Sequence, residues 1–309
     1  MKKLFLSLLL VLLFPLTAYA ELRVDITRGV VEPMPIAITT FYSTAPQHSD
    51  FATQIPQVIS ANLESSGLFK PVNPRAFVQN VASLHVDGPR FGEWRAINTQ
   101  AMVSGAVTST ADGRTRVEFR LWDVFGEKQL IGTAFMTTPQ NWRRIAHIIS
   151  DEIYKRLTGE DGYFDTRIVY VAESGPTTKR IKRLAIMDQD GQNHKYLTDG
   201  RNLVLTPRFS PSRQQITYMS YGRGGPRVYL YDINSGRHEV LGNFPNMTFA
   251  PRFSPDGSKV IMSMASRGNT DIYEMSLRTR QPRRITTHSS IDTAPSYSPD
   301  GRYQWRNGS

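Results

Sequence analysis

Thr206-Pro207-Arg208-Phe209-Ser210-Pro211, Ala250-Pro251-Arg252-Phe253-Ser254-Pro255 and Ala294-Pro295-Ser296-Tyr297-Ser298-Pro299 are three copies of one pattern, each 44 residues after the last. The same interval joins Leu184, Val228 and Ile272, and again Leu197, Leu241 and Ile285. Self-similarity at a fixed period marks a repeat architecture, in which each unit buries its apolar faces against its neighbours. One unit spells four short strands, over 251–254, 259–264, 271–276 and 283–286. Turns separate them: Ser254-Pro255-Asp256-Gly257 and Ser298-Pro299-Asp300-Gly301 put proline where φ is near −65° and glycine where the chain leaves the turn. In the first copy Ser212-Arg213 replaces Asp-Gly, which predicts a longer or looser turn. Four strands in a unit of this length predict a β-propeller blade, whereas β-solenoid repeats are usually shorter.

Working back from the repeat, residues 21–162 mix strand and helix signals. The sequence predicts a strand over 35–38, a helix over 54–66 with Ile55, Val58, Ile59 and Leu63 at helical spacing, and strands over 101–108, 115–122 and 129–137. Asp112-Gly113 is a hairpin turn between the first two of these three. Thr138 as N-cap, Pro139 at the first helical position and Gly159 as C-cap bound a further helix. Its apolar stripe, Trp142, Ile145, Ile148, Ile149, Ile153 and Leu157, is expected to pack on the neighbouring sheet. The organisation read from sequence is thus a leader over 1–20, an α/β domain over 21–162 and propeller repeats over 163–309.

The leader opens with Lys2 and Lys3, runs apolar from Leu4 to Leu16 and ends in Ala18-Tyr19-Ala20. That is the pattern of a secretory signal peptide, with small side chains at Ala18 and Ala20 suited to the peptidase and cleavage expected after Ala20. The apolar run is shorter than the roughly 20 residues of a membrane span. Removing two lysines lowers the formal charge from +10 to +8. A basic surface attracts anionic polymers or acidic proteins, yet no run of five or six Lys/Arg marks a nucleic-acid arm. With no cysteine in the chain, disulfides and a lipid anchor on Cys are excluded.

Catalytic chemistry needs convergent acids, bases or nucleophiles, and the sequence offers none, so neither an enzyme nor a cofactor is expected. There is no Gly-x-Ser-x-Gly elbow. His194 and His238 stand 44 residues apart and read as equivalent positions of successive blades rather than zinc ligands. Gly222-Arg223-Gly224-Gly225 lacks the Lys-Ser/Thr and helix of a phosphate loop and reads as an inter-strand turn. Asp112, Asp190, Asp256 and Asp300 precede glycines and read as turn residues.

The leader, the α/β domain, the junction Gly162-Tyr163-Phe164-Asp165-Thr166-Arg167-Ile168-Val169-Tyr170-Val171 and blades built on Phe-Ser-Pro-Asp-Gly together resemble the TolB family along nearly the whole chain. The blade motif alone is less specific, since prolyl-oligopeptidase-like enzymes carry similar repeats. The resemblance implies a periplasmic, non-enzymatic scaffold of the Tol–Pal system, linking the lipoprotein Pal and the inner-membrane protein TolA to keep the outer membrane intact and constricting at division. It implies that loops entering the innermost strands face Pal, here Leu205, Thr206, Met247, Thr248, Phe249 and Thr293. It implies that TolA takes the mature N-terminus from Glu21 to about Glu32, with Glu21, Leu22, Arg23, Val24, Asp25 and Ile26 at its head. Read from the residues alone, Leu22, Val24 and Ile26 alternate as an edge strand would.

Six blades are implied by the family, whereas 166–309 holds about three units and closed propellers need at least four. The sequence therefore reads as C-terminally incomplete, with an exposed apolar blade face that favours association. Residues 303–309 lack the alternation expected of another strand. The alternative reading is the propeller half of an envelope prolyl-oligopeptidase-like hydrolase without its catalytic domain. A third is a propeller that binds glycan or lipid.

Overall fold

The computed structural model describes residues 22–24, 32–44, 49–222, 225–242, 244 and 246–302, with the backbone of 304–307. The expected leader, with Ala18 and Ala20, lies outside these residues. The chain forms two compact units that meet between Asp165 and Thr166. Among the described residues no helix is long and apolar enough to cross a membrane.

The first unit is a five-stranded sheet in the order β2-β1-β3-β4-β5, built from β1 (Met34–Ile38), β2 (Phe69–Pro71), β3 (Ala101–Ser109), β4 (Thr115–Asp123) and β5 (Lys128–Thr137). Strand β1 is parallel to both β2 and β3, and the remaining pairs are antiparallel. Period-two alternation divides β1 between two cores: Ile36 and Ile38 face one, Ala37 the other. Helices α1 (Ser49–Ser65) and α4 (Trp142–Thr158) cover the first face, contributing Ile55, Ile59, Leu63, Ile149, Ile153 and Leu157. Two short helices, α2 (Val81–Asp87) and α3 (Phe91–Ala96), cover the second with Leu84 and Trp94.

Helix α1 starts five residues before the expected position and contains Pro56. Proline has no N–H for the carbonyl of Ala52, one turn earlier; that carbonyl instead accepts the N–H of Phe41 at 2.8 Å. The expected capping at Thr138 is also different. Pro139–Asn141 is a 3₁₀ turn, Thr138 makes no side-chain capping bond, and α4 begins at Trp142. Gly159 closes α4 as expected, at φ 86°, with its N–H on Lys155 O. The stripe packs inward, with Ile145, Ile149, Ile153 and Leu157 buried and Trp142 and Ile148 partly so.

The second unit is a partial β-propeller of successive antiparallel sheets. The first holds β6 (Arg167–Ser174), β7 (Ile181–Asp188) and β8 (Lys195–Tyr196). The second holds β9 (Val204–Phe209), β10 (Gln215–Gly222), β11 (Gly225–Asp232) and β12 (His238–Val240). The third repeats it as β13 (Thr248–Phe253), β14 (Lys259–Ser266), β15 (Asn269–Ser276) and β16 (Pro282–Arg284), and β17 (Thr293–Tyr297) pairs with β18 (Gln304–Asn307). Residues 304–307, where sequence alternation fails, are thus a strand: backbone pairing with β17 sets it. Phe209, Phe253 and Tyr297 occupy equivalent places, opposite Ile216, Val260 and Gln304, which are themselves 44 residues apart.

Neighbouring sheets stack through their side chains. Leu184, Val204, Ile216 and Tyr231 join the first sheet to the second; Val228, Leu230, Val260, Met262 and Met275 join the second to the third. Further on, Leu230 and Phe253 are replaced by Glu274 and Tyr297, and the Tyr297 hydroxyl donates to Glu274 Oε1 at 3.0 Å. The first turn is not lengthened by Ser212-Arg213. Ser210 N reaches Gln215 O at 2.8 Å just as Ser254 N reaches Lys259 O at 3.0 Å, because Ser210 Oγ accepts the N–H groups of Ser212 and Arg213 and fixes the loop without aspartate.

Candidate functional site

Each innermost strand is kinked at one place. Thr206, Ala250 and Ala294 have φ of 48°, 50° and 49°, each directly before a proline, and the ladder shifts register there in all three sheets. A left-handed residue with a Cβ costs about 1–2 kcal/mol, so threefold repetition of this β-bulge indicates that the geometry is required by the blade. The strand stays paired on both sides of the bulge, with Val204 and Leu205 opposite Ser220 and Met219. Three residues before the bulge stand Leu203, Met247 and Ile291, again 44 apart, with exposures of 39%, 41% and 59%. Leu203 O and Met247 O accept the N–H groups of Tyr221 and Ala265 at 2.9 and 3.0 Å, which fixes them beside the neighbouring strand ends. Tyr221 is itself exposed. The inner strands β9, β13 and β17 touch in sequence, so these side chains share one rim.

Of the residues expected on this rim, Thr206 and Met247 are exposed, while Leu205, Phe249 and Thr293 are half-buried. Thr248 departs from the expectation. Its side chain is 1% exposed and its Oγ1 accepts the buried Val228 N–H at 2.9 Å, so the hydroxyl is spent between sheets. Leu203 and Ile291 were not singled out in the sequence, although one step of 44 in either direction from Met247 reaches both.

Beyond the bulge the inner strands carry positive charge. Arg208 and Arg252 occupy equivalent inner-strand positions, donate to Pro207 O and Pro251 O at 2.8 and 3.0 Å, and pair with no described carboxylate. Burial, with the Arg208 charge nearby, lowers the pKa of Arg252.

Of the N-terminal group, Glu21, Asp25 and Ile26 lie outside the described residues. Leu22 and Val24 pack into the first unit's core, Arg23 is exposed, and Val24 N donates to Leu157 O at 2.8 Å. Residues 22–24 are not in a strand, which corrects the edge-strand reading.

The two histidines pair with tyrosines of their own sheets: Tyr170 Oη lies 2.5 Å from His194 Nδ1, and Tyr218 Oη 2.9 Å from His238 Nδ1. Burial lowers the pKa of His238 and raises that of Tyr218. Asp112 and Asp256 lock their turns. Hydrogen bonds from Thr110 and Arg114 hold Asp112 at about 2, and bonds from Ser254 and Ser258 hold Asp256 at about 2. Gly222 and Gly225 pair directly across the β10–β11 hairpin.

Comparison with known proteins agrees with this architecture. A family model for the TolB amino-terminal domain matches residues 22–130, and one for the TolB beta propeller domain matches 154–305. The Tol-Pal system protein TolB of Paramagnetospirillum magneticum is 62% identical over 221 residues, 72% of this chain and 49% of that protein. The chain thus spans about half the length of the curated relative it matches. The crystal structure of TolB from Acinetobacter baumannii superposes with a TM-score of 0.74 at 31% identity, over 91% of this chain and 67% of that one. With both domain types in order and this fold and identity, the chain belongs to the TolB family.

Proposed function

We propose that this chain serves as a periplasmic, non-catalytic scaffold of the Tol–Pal system, exported by its leader and docking Pal on the propeller rim. The observation that carries this reading is the exposed apolar set Leu203, Met247 and Ile291, held at equivalent positions by the same left-handed bulge. Apolar anchors surrounded by polar groups are what a protein partner packs against, and half-buried Leu205 and Phe249 extend the patch inward. Arg208 and Arg252, further along the same strands, add a preference for acidic groups. The mature N-terminus from Glu21 to about Glu32 takes TolA, and leaving its contact with Leu157 is the cost of that binding.

The test is Met247→Asp, alone and with Leu203→Asp, in purified protein of the relatives' full length carrying this sequence. Titration calorimetry should show Pal affinity falling about tenfold or more, with an unchanged melting temperature. Unchanged affinity in the double variant refutes the rim as the docking site. Removing residues 21–32 should weaken TolA and leave Pal binding intact; unaltered TolA binding refutes that assignment.

A further inference from the structure

A second crevice lies in the first unit, remote in sequence from the rim. From β1 the chain passes through α1, on one face of the sheet, to β2 on one side of β1. From β2 it returns through α2 and α3, on the opposite face, to β3 on the other side. Strand β1 is therefore a topological switch point among parallel neighbours, and in such sheets ligands bind in the crevice beyond the carboxyl ends of the strands. A cavity of about 790 Å³ occupies that place, reached by Ile38 and Thr40 at the end of β1 and Pro71 at the end of β2.

One wall of the cavity is a single face of α1, given by Thr53, Gln57, Ser60, Ala61 and Glu64, whose spacings of three and four residues align along the helix. From Thr53 to Glu64 this wall is about 16 Å long at 1.5 Å per residue, which matches about five residues of extended chain at 3.3 Å each. The side chains of Gln57, Ser60 and Glu64 make no hydrogen bond or ion pair with another described residue. The facing wall mixes Val72, Pro74 and Phe77 with Asn73, Gln79 and Asn80; the amide oxygens of these three already accept from Arg75 N, from Arg90 N and Trp94 Nε1, and from Ser83 N.

Among the described residues the lining contains no Lys, Arg or His, and Glu64 is its one charged side chain. Phosphate ligands, which need donors and positive charge, do not fit. A row of bare polar groups on α1, opposite a wall of apolar and amide side chains, suits a peptide backbone with small side chains, and the carboxylate at one end suits a cation.

We propose that this crevice binds an extended segment of a partner protein, about five residues of small neutral side chains, with a lysine or arginine against Glu64. The site is independent of the propeller rim and of the Pal reading.

The test titrates ¹⁵N-labelled mature chain with acetylated, amidated five-residue peptides of threonine, valine and serine that carry lysine at either end, and with glutamate counterparts. The lysine peptides should shift the amides of Thr40, Gln57, Ser60 and Ala61. Glu64→Lys should weaken them by about two- to fivefold, the scale of one exposed ion pair, and bring the glutamate peptides to the affinity they displace. Ala61→Trp, at an exposed position, should abolish the shifts with the melting curve unchanged, and Gln57→Ala should weaken them if the bulky variant unfolds. Absence of shifts at these amides at millimolar peptide, equal affinity for lysine and glutamate peptides, or shifts produced by adenosine monophosphate in place of peptide would each overturn the proposal.

Discussion

Replacing Thr248 by valine removes one oxygen and keeps the shape of the side chain. That oxygen is the acceptor for Val228 N, at 2.9 Å, and Thr248 and Val228 are 1% and 0% exposed. Water cannot reach the orphaned N–H without opening the packing between the second and third sheets. An unsatisfied buried donor costs about 1–3 kcal/mol, and full burial places Thr248→Val in the upper half of that range. The other sheets give internal controls. Leu184 N donates to Thr198 Oγ1 and Ile272 N to Thr286 Oγ1, at 2.9 and 3.0 Å, but both threonines are half-buried. Leu184 and Ile272 are as buried as Val228, but the threonine side of each bond is open to water, so Thr198→Val and Thr286→Val should cost less, about 0.5–1 kcal/mol. Urea unfolding of the three variants gives the ranking, and hydrogen exchange at Val228 gives the local effect. A Thr248→Val stability within about 0.3 kcal/mol of the parent, with Val228 exchange unchanged, would refute the reasoning. At saturating Pal this variant should still bind, which separates the residue that holds the sheets together from Met247 beside it.

Two further outcomes follow from the blade geometry. Burial pushes the Glu274 carboxyl up, but hydrogen bonds from Arg283, Lys259 and Tyr297 bring it below the ordinary glutamate value. Its contribution is therefore complete above about pH 4.3, the unfolded value, and is lost as pH falls through the lower folded value; Glu274→Gln should flatten the decline of melting temperature below that pH, and identical slopes would refute it. Ala250→Gly should be neutral or stabilising by up to about 1 kcal/mol, since relief of the left-handed penalty exceeds the backbone entropy of glycine. A loss greater than about 1 kcal/mol in chemical denaturation would mean that the alanine methyl packs, and not the kink, sets that position.

The propeller was legible because three copies of one segment repeat at constant spacing, and the same spacing places the carbonyls of Leu184, Val228 and Ile272 where they accept from Leu197, Leu241 and Ile285. Where the repeat drifts, the reading fails. Tyr170 and Tyr218 occupy equivalent places opposite Ala185 and Tyr229, yet 48 residues separate them because the β6–β7 hairpin is four residues longer than β10–β11. The interval also concealed the role of Thr248. Position 198 recurs at 286 as threonine, but at 242 it is Gly242, with φ 86° and Phe244 where a Cβ would stand. Thr248 supplies the missing acceptor from a different place in the unit, and nothing in its local sequence distinguishes an inward hydroxyl from one offered to a partner. In the first unit, α2 and α3 are too short for a periodic stripe, and three-residue β2 is defined by parallel pairing with β1. The expected start of α1 followed its apolar spacing, which opens at Ile55, so the turn from Ser49 before it went unread.

That proline has a mechanical consequence. By freeing the Ala52 carbonyl for Phe41 N, it ties the segment leaving β1 to the helix that follows, and both border the switch-point crevice. The floor and the helical wall of the crevice are thereby pinned to each other, so a guest there meets that corner already shaped and need not spend contact energy on ordering it. Any other residue at 56 would restore an N–H competing for the same carbonyl, and the pin would loosen.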